Sequence, residues 1–228
     1  MSCIHKFYGH EFHQNEEFGL LPNWKAKTLI IGTFNPANNF HPQNTAMYFY
    51  GRNRNYFWDI LPLFAGDLPI DKSSPQLQKL FLEKKQIALT DLLISIDDAE
   101  SNNIEHKARI KTVRDKEIEK FNSFTWNTEF IIKYIEANKI EAVYFTFLSN
   151  PNVKNPVVNT FEKQTRIIEQ YCQEKKIFTY RLFTPSGQGL RSGQPRINKL
   201  INKWYNENGA DRFPFLSNQF NIINYPFG

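Results

Sequence analysis

Four short apolar runs, each followed by a segment with helical spacing, constrain the fold of this 228-residue chain most strongly. The runs are rich in β-branched and aromatic residues and cover 28–34, 86–90, 142–147 and 177–183. Apolar residues recur at helical spacing over 56–64, 76–84, 128–138, 159–174 and 196–208. This alternation predicts an α/β fold with three α/β/α layers around a central, mainly parallel four-stranded sheet, because nearly continuous apolar strands need helices on both faces.

The whole chain, 1–228, is predicted to be one domain, since its length lies within the range of a single α/β fold. Residues 1–26 are interpreted as an N-terminal extension and 27–205 as the core. The segment 206–228 is rich in Phe and Tyr, so it is expected to pack on the core as an aromatic tail. The charged stretch 97–118 is either a helix or a long surface loop.

Charge and composition narrow the classes of partner. The net charge of +5 favours a polyanion such as DNA, although a merely solvated basic surface explains it equally well. Cys3 and Cys172 belong to no CxxC pair, and no apolar stretch approaches about 18 residues. These features predict no disulfide framework, no membrane partner and a cytoplasmic location in contact with the nucleoid.

Small polar residues follow the ends of the predicted strands. In an open α/β sheet, ligands bind at the carboxyl ends of the strands. Glycine and proline can also serve only to turn the chain, and this explains any single loop. It explains less well why small polar residues collect on the one edge of the sheet where ligands bind. The residues in question are Gly32-Thr33-Phe34-Asn35-Pro36, Asp91, Ser149-Asn150-Pro151 and Thr184-Pro185-Ser186-Gly187-Gln188-Gly189.

Aromatic and arginine residues alternate in the first of these loops. Tyr50, Arg52 and Arg54 precede the predicted helix that begins near Tyr56. Aromatic faces stack on bases and arginines hold phosphates, so the pattern is typical of a flipped-base or single-strand site. A core-facing helix start explains Phe57 and the tryptophan after it, but not the residues before them.

Together these segments resemble the uracil-DNA glycosylase superfamily, and most closely its mismatch-specific uracil and hypoxanthine-DNA glycosylase branches. Those families carry a strand ending in Gly-x-Asn-Pro or Gly-Ser-x-Pro, then Tyr/Phe-Ala-His-Pro-x-Asn-x-Phe-Trp, and late in the chain Asn-Pro-Ser-Gly or Pro-Ser-Pro-Ser. The counterparts, within about 27–205, are Gly32-Thr33-Phe34-Asn35-Pro36, Tyr50-Gly51-Arg52-Asn53-Arg54-Asn55-Tyr56-Phe57-Trp58 and Thr184-Pro185-Ser186-Gly187.

The chain departs from the family in ways that bear on catalysis. The first motif is one residue longer, so either Asn35 or Phe34 occupies the position that holds the attacking water. Gly51-Arg52-Asn53 replaces Ala-His-Pro. No histidine follows His106, which excludes a mechanism using a histidine from the late loop. Asp91 is the alternative general base, although an aspartate before Leu92 also suits a helix cap.

The resemblance implies a base-excision DNA glycosylase that flips a deaminated or damaged base, uracil-like or hypoxanthine-like. Asn35 would then position the water, and Tyr50 would stack on the base. Leu190 would be the wedge that fills the space left in the duplex by the flipped base, although simple packing of Leu190 under its own loop also explains it. Arg191 would contact the opposite strand or a phosphate. The remaining pocket candidates are Gly32, Thr33, Phe34, Asn55 and Ser186, and the remaining DNA contacts are Arg52, Arg54, Gly187 and Gln188.

Two other functions remain open on the same residues. One is a catalytically silent DNA-binding protein on this scaffold, and the other is an α/β enzyme acting on a nucleotide or small metabolite. His5, His10 and His13 cluster near the start and are predicted to be surface histidines. No cofactor and no metal are expected, and the protein is expected to be a monomer.

Overall fold

In the computed structural model, which describes residues 2–13, 17–148, 160–186 and 196–226, four strands form a parallel sheet. Its strands are β2 (Thr28–Gly32), β3 (Ile87–Asp91), β6 (Ala142–Phe145) and β7 (Phe178–Arg181), in the order β3-β2-β6-β7. The register aligns Thr28 with Ile87 and Ala142. The predicted α/β fold with a four-stranded parallel sheet is therefore confirmed.

Each strand ends earlier than its apolar run, apart from β3, which extends one residue further to Asp91. β2 stops at Gly32, and Thr33 and Phe34 leave the sheet for the loop that follows. The apolar run is longer than the strand because Phe34 packs against the core from outside the sheet. The central strands β2 and β6 and the edge strand β3 are buried throughout, as expected of parallel strands between two helical layers.

Helices cover both faces of the sheet. Ile30 packs into a cluster with Trp58 and Leu61, whereas Leu29 packs on the opposite face with Ile131. This alternation along β2 gives the three predicted layers. The helices of eight or more residues are α1 (Phe57–Phe64), α2 (Pro75–Lys84), α3 (Ile104–Lys111), α5 (Thr128–Asn138) and α6 (Phe161–Glu174). The shorter ones are α4 (Asp115–Ile118) and α7 (Arg196–Asn202), and a π-helical turn, Lys203–Glu207, continues α7.

A second, antiparallel sheet was not expected from the sequence. β1 (Cys3–Ile4) pairs with β4 (Leu93–Ile96), which pairs with β5 (Phe124–Trp126). The pairing ties the first residues of the chain to the segment directly after β3. Its strands are only two to four residues long, too short to give a period-two pattern.

The aromatic tail packs on the layer formed by α1 and the π-helical turn. The Phe220 ring stacks on Phe64 with centroids 4.7 Å apart, and Phe213 meets the Trp204 ring. Cys3 and Cys172 are both free and buried. Among the described residues, no helix is both long and apolar enough to cross a membrane.

Candidate active site

A cleft of about 1050 Å³ opens at the carboxyl ends of the parallel strands. Loops after β2, β6 and β7 and the end of β3 meet there, together with α4 and the start of α7. The cleft is lined by every sequence-predicted site residue that the structure describes: Gly32, Thr33, Phe34, Asn35, Tyr50, Arg52, Arg54, Asn55, Asp91 and Ser186. Gly187, Gln188, Leu190 and Arg191 lie outside the described residues.

The Asp91 side chain is a buried carboxylate at the wall of this cleft, only 5% exposed. Its Oδ2 accepts a hydrogen bond from His5 Nε2 at 2.7 Å. The Phe7 backbone N–H donates to His5 Nδ1 at 3.1 Å, so Nδ1 carries no proton and the ring donates through Nε2. His5 thus acts as a neutral donor that fixes the carboxylate in place.

The prediction of surface histidines near the chain start is wrong for His5 and His13, which are both buried. The His5 ring stacks on Phe49, with centroids 5.5 Å apart. His13 lies 2.8 Å from the Tyr48 hydroxyl, and burial lowers its pKa to about 3. The burial of these rings cannot be predicted from local pattern, because their hydrogen-bond partners, Asp91 and Tyr48, lie far along the chain.

Gly32 allows the carboxylate to approach the central strand. A Cβ at this position would lie 2.2 Å from Asp91 Oδ1 and 2.9 Å from the Tyr50 hydroxyl. Both distances are shorter than any non-bonded carbon–oxygen contact. A glycine is therefore required here by close approach, not by backbone conformation.

Asn35 lines the cleft, but its amide oxygen already has two donors. Arg52 Nη2 donates to Oδ1 at 3.0 Å and Asn44 Nδ2 donates at 2.5 Å. Because a guanidinium has no acceptor, the atom facing Arg52 must be the oxygen. The carbonyl that was expected to hold a water is therefore occupied. The Phe34 ring, the alternative occupant, packs edge-on against His5 at 5.7 Å.

Tyr50 is held rigidly beside Asp91. Its ring stacks on Phe57 at 4.0 Å with an interplanar angle of 16°, and its hydroxyl lies 3.1 Å from Thr146 Oγ1. Burial raises the pKa of Tyr50 well above its ordinary value, and the Asp91 charge adds to the effect. The hydroxyl therefore stays neutral, with one ring face covered by Phe57.

The first and late loops meet directly. Asn55 and Ser186 form an isolated antiparallel bridge, and the Tyr56 backbone N–H donates to the Pro185 carbonyl at 2.9 Å. The Asn55 amide oxygen accepts from the Phe57 N–H, which leaves its NH₂ group as a donor. Two segments far apart in the sequence thus share one wall of the cleft.

Asp115 is the functional candidate that the sequence did not reveal. It lines the cleft at the first residue of α4 and accepts a hydrogen bond from the Thr33 side chain. Burial raises its pKa to about 6; the Thr33 bond opposes that shift, and the charges of Glu119 and Asp91 reinforce it. The residue stands in a charged stretch in which nothing distinguishes it from surface carboxylates.

Comparisons with known proteins add little to what the geometry of the cleft indicates. No family model matches the chain, and no curated protein matches it. One similar solved structure is the solution NMR structure of a "putative Uracil DNA glycosylase from Methanosarcina acetivorans". It is 16% identical over 78% of this chain and 89% of that chain, with a TM-score of 0.45. At that identity and TM-score, the likeness carries no argument about function.

Replacing His5 by Phe should lower the free energy of unfolding by about 1–3 kcal/mol, because the buried Asp91 carboxylate loses its donor. Urea unfolding of H5F, D91L and the double variant measures this directly. The double variant should be less destabilised than the sum of the single ones, since removing both partners leaves no unpaired charge. Additive losses would show that the pair makes no mutual contribution.

Proposed function

We propose that this protein is a DNA glycosylase, which hydrolyses the N-glycosidic bond of a flipped, damaged or deaminated base. The observation that carries the proposal is the Asp91 carboxylate, buried in the cleft wall and held by His5 at 2.7 Å. Such a group can take a proton from water as the water attacks the sugar carbon. The neutral His5 donor fixes the carboxylate without competing for that proton.

The general base in this proposal is Asp91 and not Asn35. A carboxylate accepts a proton, whereas an amide only orients a water, and the Asn35 carbonyl is filled by Asn44 and Arg52. Asn35 instead positions the Arg52 guanidinium. Burial lowers the pKa of Arg52 and the Asp91 charge partly restores it, so the two charges lie near each other.

The walls of the cleft suit a planar base. Tyr50 offers a ring that is braced from behind by Phe57, and stacking on such a ring tolerates any base. The Asn55 NH₂ group, the Ser186 hydroxyl and the backbone of Gly32, Thr33 and Phe34 are the proposed polar contacts to its edge. Hydrogen bonds from such groups would also stabilise charge on the departing base.

Cations at the mouth of the cleft support a nucleic-acid ligand. Arg54 and Arg196 line the cleft and are exposed, so their guanidinium groups are the proposed phosphate contacts. Arg52 lies deeper and is bonded to Asn35, which makes it a poorer phosphate contact than expected. The proposed wedge, Leu190, and its neighbour Arg191 follow Ser186 in the sequence and lie outside the described residues.

A base-release screen tests the proposed function. The protein is incubated with duplex and single-stranded oligonucleotides containing uracil, hypoxanthine, xanthine or 5-hydroxymethyluracil, and free bases are measured by mass spectrometry. We expect one of these bases to be released and none from the matched unmodified strand. Binding to DNA without release would make it a DNA-binding protein. Salt-independent binding of a nucleotide without affinity for DNA would indicate a nucleotide or metabolite enzyme.

A further inference from the structure

Two carboxylates lie against neighbouring residues at the end of β2. Asp91 Oδ1 lies against Gly32, and Thr33, the next residue, donates its side-chain hydrogen bond to Asp115. Successive Cα atoms are only about 3.8 Å apart, so the two carboxyl groups approach the same short piece of backbone. Both line the same cleft, although one comes from β3 and the other from α4.

We propose that Asp115 is the general acid that protonates the departing base, and that the base is therefore a purine of the hypoxanthine type. This inference rests on the proposed glycosylase function. Uracil departs as a delocalised anion that hydrogen bonds can stabilise, whereas a purine departs much more readily once a ring nitrogen is protonated. A carboxyl group that carries a proton in the cleft can supply it, and a uracil site has no need of one.

The two carboxyl groups have different surroundings, and these suit different catalytic roles. Asp91 accepts a hydrogen bond from His5 and lies near the Arg52 guanidinium, two contacts that hold its carboxyl group in place. Asp115 is desolvated and feels the negative charges of Asp91 and Glu119, so its pKa rises to about 6 against the Thr33 hydrogen bond. A carboxyl group with a raised pKa suits a general acid, and a carboxyl group fixed by a hydrogen bond suits a general base. The other charged groups that line the cleft are Arg52, Arg54, Arg114, Lys116, Glu117 and Arg196.

The reaction then balances without any further reactant. The C1′–N9 bond breaks and its electron pair goes to the purine, while the Asp115 proton is transferred to N7. A water oxygen forms the new bond to C1′, and its proton passes to the Asp91 carboxylate. The products are a neutral purine and an abasic deoxyribose, and proton exchange with solvent resets both carboxyl groups.

The test is Asp115→Asn, assayed in single turnover on paired substrates. Release of hypoxanthine should fall by about 10²–10⁴-fold, and release of 5-hydroxymethyluracil, if the wild type releases it, should change by less than about threefold. Wild-type release of hypoxanthine should decrease as the pH rises above about 6, where Asp115 loses its proton, and D115N should lack this decrease. Glu105→Gln, an exposed carboxylate paired with Arg109 on α3, is the control and should match the wild type.

A second measurement needs no variant. Replacing N7 of the hypoxanthine by carbon removes the proton acceptor, so the wild type should release the 7-deaza base far more slowly than hypoxanthine. Equal rates on the two bases would overturn the inference, as would an equal loss on purines and pyrimidines in D115N. Release of pyrimidines alone by the wild type would overturn it while leaving the glycosylase proposal standing. Release of no base at all would overturn both.

Discussion

Asp91→Asn lowers the rate of base release by about 10²–10⁴-fold while DNA affinity is retained, if the Asp91 carboxylate is the general base. The substitution keeps the shape of the side chain, and the amide oxygen can still accept the proton of His5 Nε2. What disappears is the ability to take a proton from water. Single-turnover base release and equilibrium binding to the same oligonucleotide measure the two effects separately.

Asn35→Ala is the matched comparison for that experiment, because it removes the other candidate at the same edge of the sheet. Its oxygen accepts from Arg52 and Asn44, so its loss should loosen Arg52 and reduce activity less than D91N does. The opposite ranking, with D91N active and N35A inactive, would show that Asn35, and not Asp91, positions the attacking water. Full activity in both variants would show that the proposed catalytic site is wrong.

Much of the fold could be predicted because local pattern and final structure agree. β2 and β6 come from largely apolar runs and are buried at every position, and the helix Thr128–Asn138 has the bounds that its apolar spacing predicts. The carboxyl-edge rule then brought Gly32, Asp91 and Ser186 to one cleft. Each of these inferences needs only the periodicity of one segment and the direction of its strand.

The residues that the sequence concealed depend on contacts between distant segments. His5 reaches Asp91 only because β1 pairs with β4, and two-residue strands leave no periodic trace. Asp115 becomes a candidate only because α4 places it in the lining of the cleft, where partial burial raises its pKa. Asn35 was correctly placed at the cleft edge, yet the saturation of its carbonyl by Arg52 could not be read from its position in a motif.

Gly32→Ala should destabilise the protein by about 1–3 kcal/mol and lower activity on the order of 10²-fold, the second large effect. The new Cβ would lie 2.2 Å from Asp91 Oδ1, and β2 cannot retreat because β3 and β6 hydrogen-bond to it on either side. Asp91 must therefore move away from His5, and a displacement of about 1 Å is enough to disorganise catalysis. Urea unfolding and single-turnover base release measure the two losses.

The double variant Gly32→Ala with Asp91→Ala separates this clash from an effect on the strand itself. Removing the carboxylate opens the space that the new Cβ needs, and alanine is no worse than glycine as a strand residue. The double variant should therefore be more stable than the sum of the two single losses predicts, while base release stays abolished. Strictly additive losses would mean that Gly32 serves the backbone of β2 and not the approach of Asp91.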